Sequence, residues 1–198
     1  MRQTESNRTY FNSHAARWDG YEDGSARPVI NAILDRFSLP PDACVLDVGC
    51  GTGILTPFLR ARGVRELVST DVSDEMCRVY SEKFPDEKII CADFETAVFP
   101  AAHFDAVIIF NAFPHFENPD VAFGNAFRWL KPGGRLLLAH SMNRAALDEH
   151  HRRAGKTVED HVLLADGEFI ELYRNAGFEG VTVENSDYFY SEGRRPLE

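Results

Sequence analysis

Three aspartates and one glycine-rich turn carry most of the chemical information in this chain. The stretch Val45-Leu46-Asp47-Val48-Gly49-Cys50-Gly51-Thr52-Gly53 runs from an apolar segment straight into alternating glycines. A strand that enters such a turn and then a helix makes a nucleotide site, because glycines let a ligand approach the backbone and free N–H groups face it. The spacing excludes two common versions of that site. A dinucleotide fingerprint, G-x-G-x-x-G, needs glycine at position 54, where isoleucine stands, and a P-loop needs a lysine that is absent. Asp47 lies two residues before the first glycine. A carboxylate there repels a pyrophosphate and suits a ligand that carries an ammonium group.

Asp71 follows Asp47 by 24 residues, at the end of the next apolar segment in STDVS. An acid about 20 residues beyond such a loop is placed to accept hydrogen bonds from a ribose diol. It can also simply cap the following helix, although Ser73 is the better cap. Asp93 and Phe94 end the third segment, where a carboxylate can accept from an adenine amino group and a ring can pack on the base. Asp93 as a plain turn residue is the alternative. Cys50, inside the loop, reads as a small lining residue rather than a nucleophile.

Histidines supply the candidate acid–base chemistry. His115, in Asn111-Ala-Phe113-Pro-His115-Phe, follows the fourth strand, and ligands gather at the carboxyl ends of strands in doubly wound sheets. It can act as a general base toward a substrate, or be a partly buried structural side chain. His140 ends the fifth strand and can line the same cleft. A metal site from His150, His151 and His161 is disfavoured, since adjacent histidines on a helix point apart. Arg144, Arg152, Arg153 and Lys156 fit a solvated helix face better than an anion subsite.

These residues need elements to position them. Strands are expected over 44–48, 66–70, 88–91, 104–110 and 135–140, alternating with helices over 55–62, 73–84 and 119–130. Alternation with crossovers too long for hairpins implies a parallel sheet with helices on both faces. VLDVG and DAVIIF are apolar almost throughout, as strands buried on both faces must be. After a helix over 167–175, Val181–Val183 and Tyr188–Tyr190 are spaced for an antiparallel pair. Before Pro40-Pro41, residues 27–37 form an amphipathic helix. The aromatics Tyr10, Phe11, Trp18 and Tyr21, with His14, suggest a helical lid over the site, or a helix packed permanently on the sheet. The expectation is one domain, 1–198, with a lid over 1–40 and a three-layer α/β/α core over 41–198.

Composition bounds the rest. The 198 residues carry 31 acidic and 21 basic side chains, for a formal charge of −10. That excess argues against a nucleic-acid backbone as the main partner, because phosphate contacts need clustered cations. No apolar run approaches the ~18 residues of a membrane span. Four cysteines without a C-x-x-C pair read as reduced thiols of a cytoplasmic protein. The oligomeric state is not legible.

VLDVGCGTG, STDVS, CADFE, FDAVIIFNAF and WLKPGGRLLL, in that order and spacing, resemble the class I S-adenosylmethionine-dependent methyltransferases over about residues 43–140. The resemblance implies a Rossmann-like, seven-stranded, mostly parallel sheet in the order 3-2-1-4-5-7-6, with strand 7 antiparallel. It implies S-adenosylmethionine as cofactor, with Asp47, Gly49, Cys50, Gly51 and Gly53 around its methionine part. It places Asp71 on the ribose, Val72 beside the adenine, Asp93 and Phe94 at the adenine edge, and Asn111 near the methyl donor. Tyr10, His14, Trp18, Phe113 and His140 are then candidate lid or substrate contacts, and His115 a candidate base. FNSHAARWD is similar to the F-D-x-x-A-x-x-Y-D opening of ubiquinone/menaquinone-biosynthesis-type enzymes, with Asn12 and Trp18 in place of its Asp and Tyr. Transfer of a methyl group to a small-molecule acceptor, with no metal, is the implied function. A cofactor-binding protein without catalysis is the rival, and a nicotinamide oxidoreductase a weaker one.

Overall fold

A computed structural model describes residues 3–21, 24, 26–154 and 163–198. Strands β1 (Cys44–Val48), β2 (Glu66–Asp71), β3 (Lys88–Cys91), β4 (Phe104–Phe110) and β5 (Leu130–His140) pair in parallel. β6 (Glu179–Asn185) and β7 (Phe189–Arg194) complete a seven-stranded sheet in the order β3-β2-β1-β4-β5-β7-β6, with β7 antiparallel to both neighbours. The order reverses between β1 and β4, so the connections after these two strands diverge and open a crevice at their carboxyl ends.

Strand alternation divides the interior into two layers. Leu46, Val48, Val107, Ile109, Leu136 and Leu138 face helices α5 (Pro119–Trp129) and α7 (Asp166–Asn175). Val45, Ala106, Ile108, Leu137 and Ala139 face α2 (Ala26–Phe37) and α3 (Thr56–Ala61). Apolar residues at successive positions are needed because each face has its own helical cover. On the β2 side, α4 (Asp74–Lys83) begins at Ser73, whose Oγ accepts from Met76 N at 3.1 Å. Its buried Tyr80 bonds Thr56 Oγ1 at 3.1 Å and Ser69 Oγ at 2.9 Å, tying α4 to α3 and β2.

β5, β6 and β7 each run longer than the sequence suggests. α5 ends at Trp129, and Leu130 is already extended and paired with Phe104. Pro132 cannot continue the helix, and the ladder resumes at Ala106–Arg135 after an irregularity. β7 reaches Arg194 rather than Tyr190, paired along β5 from His140–Phe189 to Arg135–Arg194. Its second half, Ser191-Glu192-Gly193-Arg194, lacks an apolar signature because it is shaped to fit Tyr173. Ser191 Oγ donates to Leu138 O and contacts Tyr173 OH, while Gly193 lies beneath the Tyr173 ring.

At the amino end, α1 (Gln3–His14) is followed by a 3-10 segment, Ala15–Tyr21. A further helix, α6 (Arg144–Ala154), follows β5. In it Arg152 pairs with Glu149, and Arg144 bonds Leu164 O and Asp166. The side chains of His150, His151 and Arg153, together with His161 and Lys156, lie outside the described residues.

A Cβ at Gly193 would fall 2.5 Å from Tyr173 Cδ1 and 3.1 Å from Phe178 Cβ. Gly193→Ala is expected to destabilise the fold by about 1–3 kcal/mol, the usual cost of overpacking. Urea unfolding checks this, with an unchanged midpoint as the contrary result.

Candidate active site

Packing and backbone conformation explain the glycine loop locally. Gly49 has φ +66, and a Cβ there would sit 2.4 Å from the Ala112 Cβ on the turn after β4. Gly53 has φ +92, and its Cβ would sit 2.6 Å from the Phe84 ring. Any side chain at either position would force apart the elements that bound the crevice. Gly49 N and Cys50 N both donate to Thr70 O, at 2.8 and 3.1 Å, which pins the loop to the end of β2.

Asp71 completes that fastening. Its Oδ2 accepts from Gly51 N and its Oδ1 from Ser73 N, each at 2.9 Å. A carboxylate has about four acceptor positions, so lone pairs remain for two hydroxyl donors. Burial raises the Asp71 pKa, opposed by the backbone N–H bonds of Ser73, Gly51 and Val72. Asp47 is buried, and its Oδ2 has no hydrogen-bond partner among the described residues. Burial first, and the nearby Asp71 second, push its pKa up to about 7. An orphaned carboxyl oxygen beside a second acid is what a ligand ammonium would satisfy. The Cys50 thiol is driven well above its usual range by burial and then by Asp71 and Asp47, which leaves it inert as a nucleophile.

The glycine loop and Asp71 line a cavity of about 930 Å³, with Asp47 buried behind the loop, that extends past Val72, Asp93 and Phe94 to Asn111, His115 and His140. Asp93 Oδ1 accepts from Glu95 N at 2.9 Å, forming the turn after β3. Phe94 also belongs to the core, with its ring stacked on Phe116 and edge-on to Trp129. Asn111 has φ +55, and its amide clamps Ser141: Oδ1 accepts from Ser141 N at 2.8 Å and Nδ2 donates to Ser141 Oγ at 3.2 Å. It therefore fixes the ends of β4 and β5 side by side. His140 Nδ1 accepts from Met142 N at 3.1 Å, so the neutral ring carries its proton on Nε2. Phe113 turns away from the cavity into the core, packed against Phe116, Phe123 and Phe169.

The amino-terminal segment covers this cavity. Tyr10 and His14 stack at 4.3 Å, and Phe11 meets Trp18 and His115 edge-on at 5.5 and 5.0 Å. Trp18 Nε1 approaches Gly51, 3.5 Å from where a Cβ would stand. Polar contacts attach the cover to both rims. Arg8 Nε donates to Val72 O at 3.1 Å, and Asn12 Oδ1 accepts from Ser73 Oγ at 2.6 Å and Glu75 N at 3.2 Å. On the other rim, Asn7 Nδ2 donates to His115 O at 2.7 Å.

Two further candidates emerge from the structure: Asp19, whose only sequence signal is its match to the closing Asp of F-D-x-x-A-x-x-Y-D, and Arg27, which has none. Asp19 accepts from Thr52 Oγ1 at 2.5 Å and from Lys83 Nζ at 2.8 Å, linking cover, glycine loop and α4. Burial raises its pKa, but the bonds from Lys83 and Thr52 outweigh this and hold it low. Arg27 lines the cavity with its guanidinium over Phe58, and has no ion-pair partner among the described residues. Its positive charge is available to a ligand carboxylate in the cavity.

Residues 46–138 match the family model described as a methyltransferase domain. A ubiquinone/menaquinone biosynthesis C-methyltransferase of Yersinia enterocolitica is 31% identical over 212 residues, covering 88% of this chain and 83% of the relative. The chain belongs to the class I S-adenosylmethionine-dependent methyltransferases. Phosphoethanolamine N-methyltransferase 1 of maize is 26% identical over 91% of this chain, which spans 37% of the maize protein's length. The chain likewise spans 56% and 48% of two bacterial relatives. Among solved structures, a chain of the complex between the Haloferax volcanii Trm112 methyltransferase activator and a methyltransferase superposes with a TM-score of 0.80. At 20% identity, with 96% of this chain and 98% of that one covered, the likeness is one of fold.

The family's cofactor fits the chain's own residues: Asp47 and Arg27, neither satisfied by an ion pair among the described residues, suit its amino-acid end, and Asp71 its ribose. Asp71→Ala is expected to weaken S-adenosylhomocysteine binding about a hundredfold, the scale of two hydrogen bonds to a charged group. Calorimetry reads this directly, and near-normal binding would remove the ribose assignment. Without ligand, Asp47 holds its proton up to about pH 7, against about 3.9 when unfolded. Its contribution to stability is therefore present below about pH 4 and lost as pH rises through 7. The ligand ammonium favours the carboxylate, so affinity should rise between about pH 6 and 8, and Asp47→Asn should flatten that rise.

Proposed function

We propose that this protein transfers the sulfonium methyl of S-adenosylmethionine to a small, uncharged, partly aromatic acceptor by in-line displacement. The observation that carries this reading is one covered cavity with acids at one end and rings and imidazoles at the other. Its volume of about 930 Å³ lies near the top of the ~300–1,000 Å³ range of small-molecule sites, which leaves room for an acceptor beside the cofactor. The lining basic residues among those described, Arg27 and Lys83, belong to the glycine-loop side, and Lys83 is engaged by Asp19. Away from the glycine loop the lining includes His115, Phe116, His140 and Met142, and Tyr10 and His14 lie in the cover. That lining suits a ring with a hydroxyl better than a phosphate.

When bound, S-adenosylmethionine supplies a methyl group already activated toward attack. The protein's work is alignment and exclusion of water. The cover formed by Phe11 and Trp18 shields the cavity, and Asn111 positions the floor through its clamp on Ser141. His115, whose carbonyl is held by Asn7 and whose ring is braced by Phe11, is the base that takes a proton from the acceptor hydroxyl. His140, with Nδ1 committed to Met142 N, donates from Nε2. A cytoplasmic setting fits the four free thiols, and no helix among the described residues is long and apolar enough to cross a membrane.

Screening hydroxylated aromatic acceptors with methyl-labelled cofactor tests the reading. On an acceptor that turns over, His115→Ala should lower kcat about 10²–10⁴-fold while S-adenosylhomocysteine affinity stays unchanged. Full activity in His115→Ala removes the base. Cofactor binding with no transfer to any acceptor class favours the non-catalytic rival.

A further inference from the structure

At the opposite end of the sheet from the glycine loop, three ligand-type side chains converge where three adjacent strands begin. Cys44 opens β1, Glu66 opens β2 as its register partner, and His103 immediately precedes β4, which pairs with β1 on the other side. Cys44 Sγ lies 3.5 Å from Glu66 Oε2, and His103 Nε2 lies 3.1 Å from Glu66 Oε1. One ligand atom from each residue falls within 4.8 Å of the other two. In a tetrahedral zinc site, bonds of about 2.0–2.3 Å put neighbouring ligand atoms roughly 3.4–3.6 Å apart. The two short contacts use different oxygens of Glu66, Oε2 toward Cys44 and Oε1 toward His103, so a shared ion gathers one atom from each residue after roughly an ångström of side-chain movement.

We propose that Cys44, Glu66 and His103 bind a zinc-class divalent cation, with water as the fourth ligand. A thiolate, an imidazole and a carboxylate form the mixed sulfur, nitrogen and oxygen set that zinc accepts and that calcium and magnesium do not. Cys44 is buried while Glu66 and His103 are half-exposed, so the ion enters from the solvent side. Binding replaces the Cys44 thiol proton, which is released to solvent. Arg65 marks the place of the fourth ligand: its exposed guanidinium donates from Nη2 to Cys44 Sγ at 3.1 Å. The spot therefore already attracts positive charge, and a surface side chain can swing away to yield it. Arg65 competes with the ion, as does Lys88, whose charge acts on Glu66. The strand backbones hold all three ligands, so the ion acts as a staple across β1, β2 and β4 and lies remote from methyl transfer.

Cobalt(II) titration of the metal-free full chain tests the site through visible d–d bands and thiolate-to-cobalt charge transfer. One equivalent should develop both. Cys44→Ser should lose the charge-transfer band, His103→Ala should bind about tenfold more weakly or worse, and Arg65→Ala should bind more tightly. S-adenosylhomocysteine binding should be unchanged in all three, which certifies their folding and separates this site from the cofactor site. Should Cys44→Ser not fold, the surface variant His103→Ala decides. Cobalt bound without a thiolate band, an undiminished band in Cys44→Ser, or unaltered affinity in His103→Ala each overturns the proposal.

Discussion

Two carboxylates buried beside one glycine loop set the terms for the rest of the molecule. Asp71 accepts from Gly51 N and Ser73 N, while Asp47 has an oxygen with no partner among the described residues and a proton it gives up only near neutrality. Burying like charges together costs free energy unless a cation or hydrogen-bond donors arrive. An ammonium group at Asp47 and hydroxyls at Asp71 would relieve that cost, as the proposed cofactor pose requires. The glycine conformations, the Thr70 anchor and the close approach of Ala112 all serve to keep this pair in place. Affinity for the cofactor is in this sense stored as unrelieved electrostatics.

The cover depends on the same loop. Its contacts with Val72 and Ser73 fall directly after Asp71, and its contact with Thr52 falls within the glycine loop, so ordering of the loop and seating of the cover are coupled. Asp19 is the clearest joint, since one carboxylate reaches the loop through Thr52 and α4 through Lys83. A ligand that rigidifies the loop would firm these contacts as well, which links cofactor binding to exclusion of water from the acceptor end.

The sequence makes visible the parts whose chemistry is local. The glycine spacing, the acid at each of three strand ends and the two-sided apolar strands each follow from a few adjacent residues. The cover's attachments are not legible in this way. Asn7 with His115, Arg8 with Val72 and Asn12 with Ser73 join residues far apart in the chain through backbone carbonyls and short polar side chains. Nothing in the type or period of these residues advertises such partners. β7 was readable only as far as its aromatic residues, because its second half is fitted to Tyr173 by small groups. Phe113 shows the opposite failure: its place after β4 suggested a site contact, and the demands of an aromatic core claimed it.

Placement also explains why three similar-looking polar residues after β4 and β5 have different duties. Asn111 commits one donor and one acceptor site to Ser141, which fixes its orientation at the cavity wall. His140 has one nitrogen committed to a backbone N–H, which fixes its tautomer and makes it a donor. For His115 the fixed point is the backbone carbonyl, through Asn7, while Phe11 braces the ring. The three side chains therefore reach the cavity from differently fastened backbones, which sets what each can present to a ligand there.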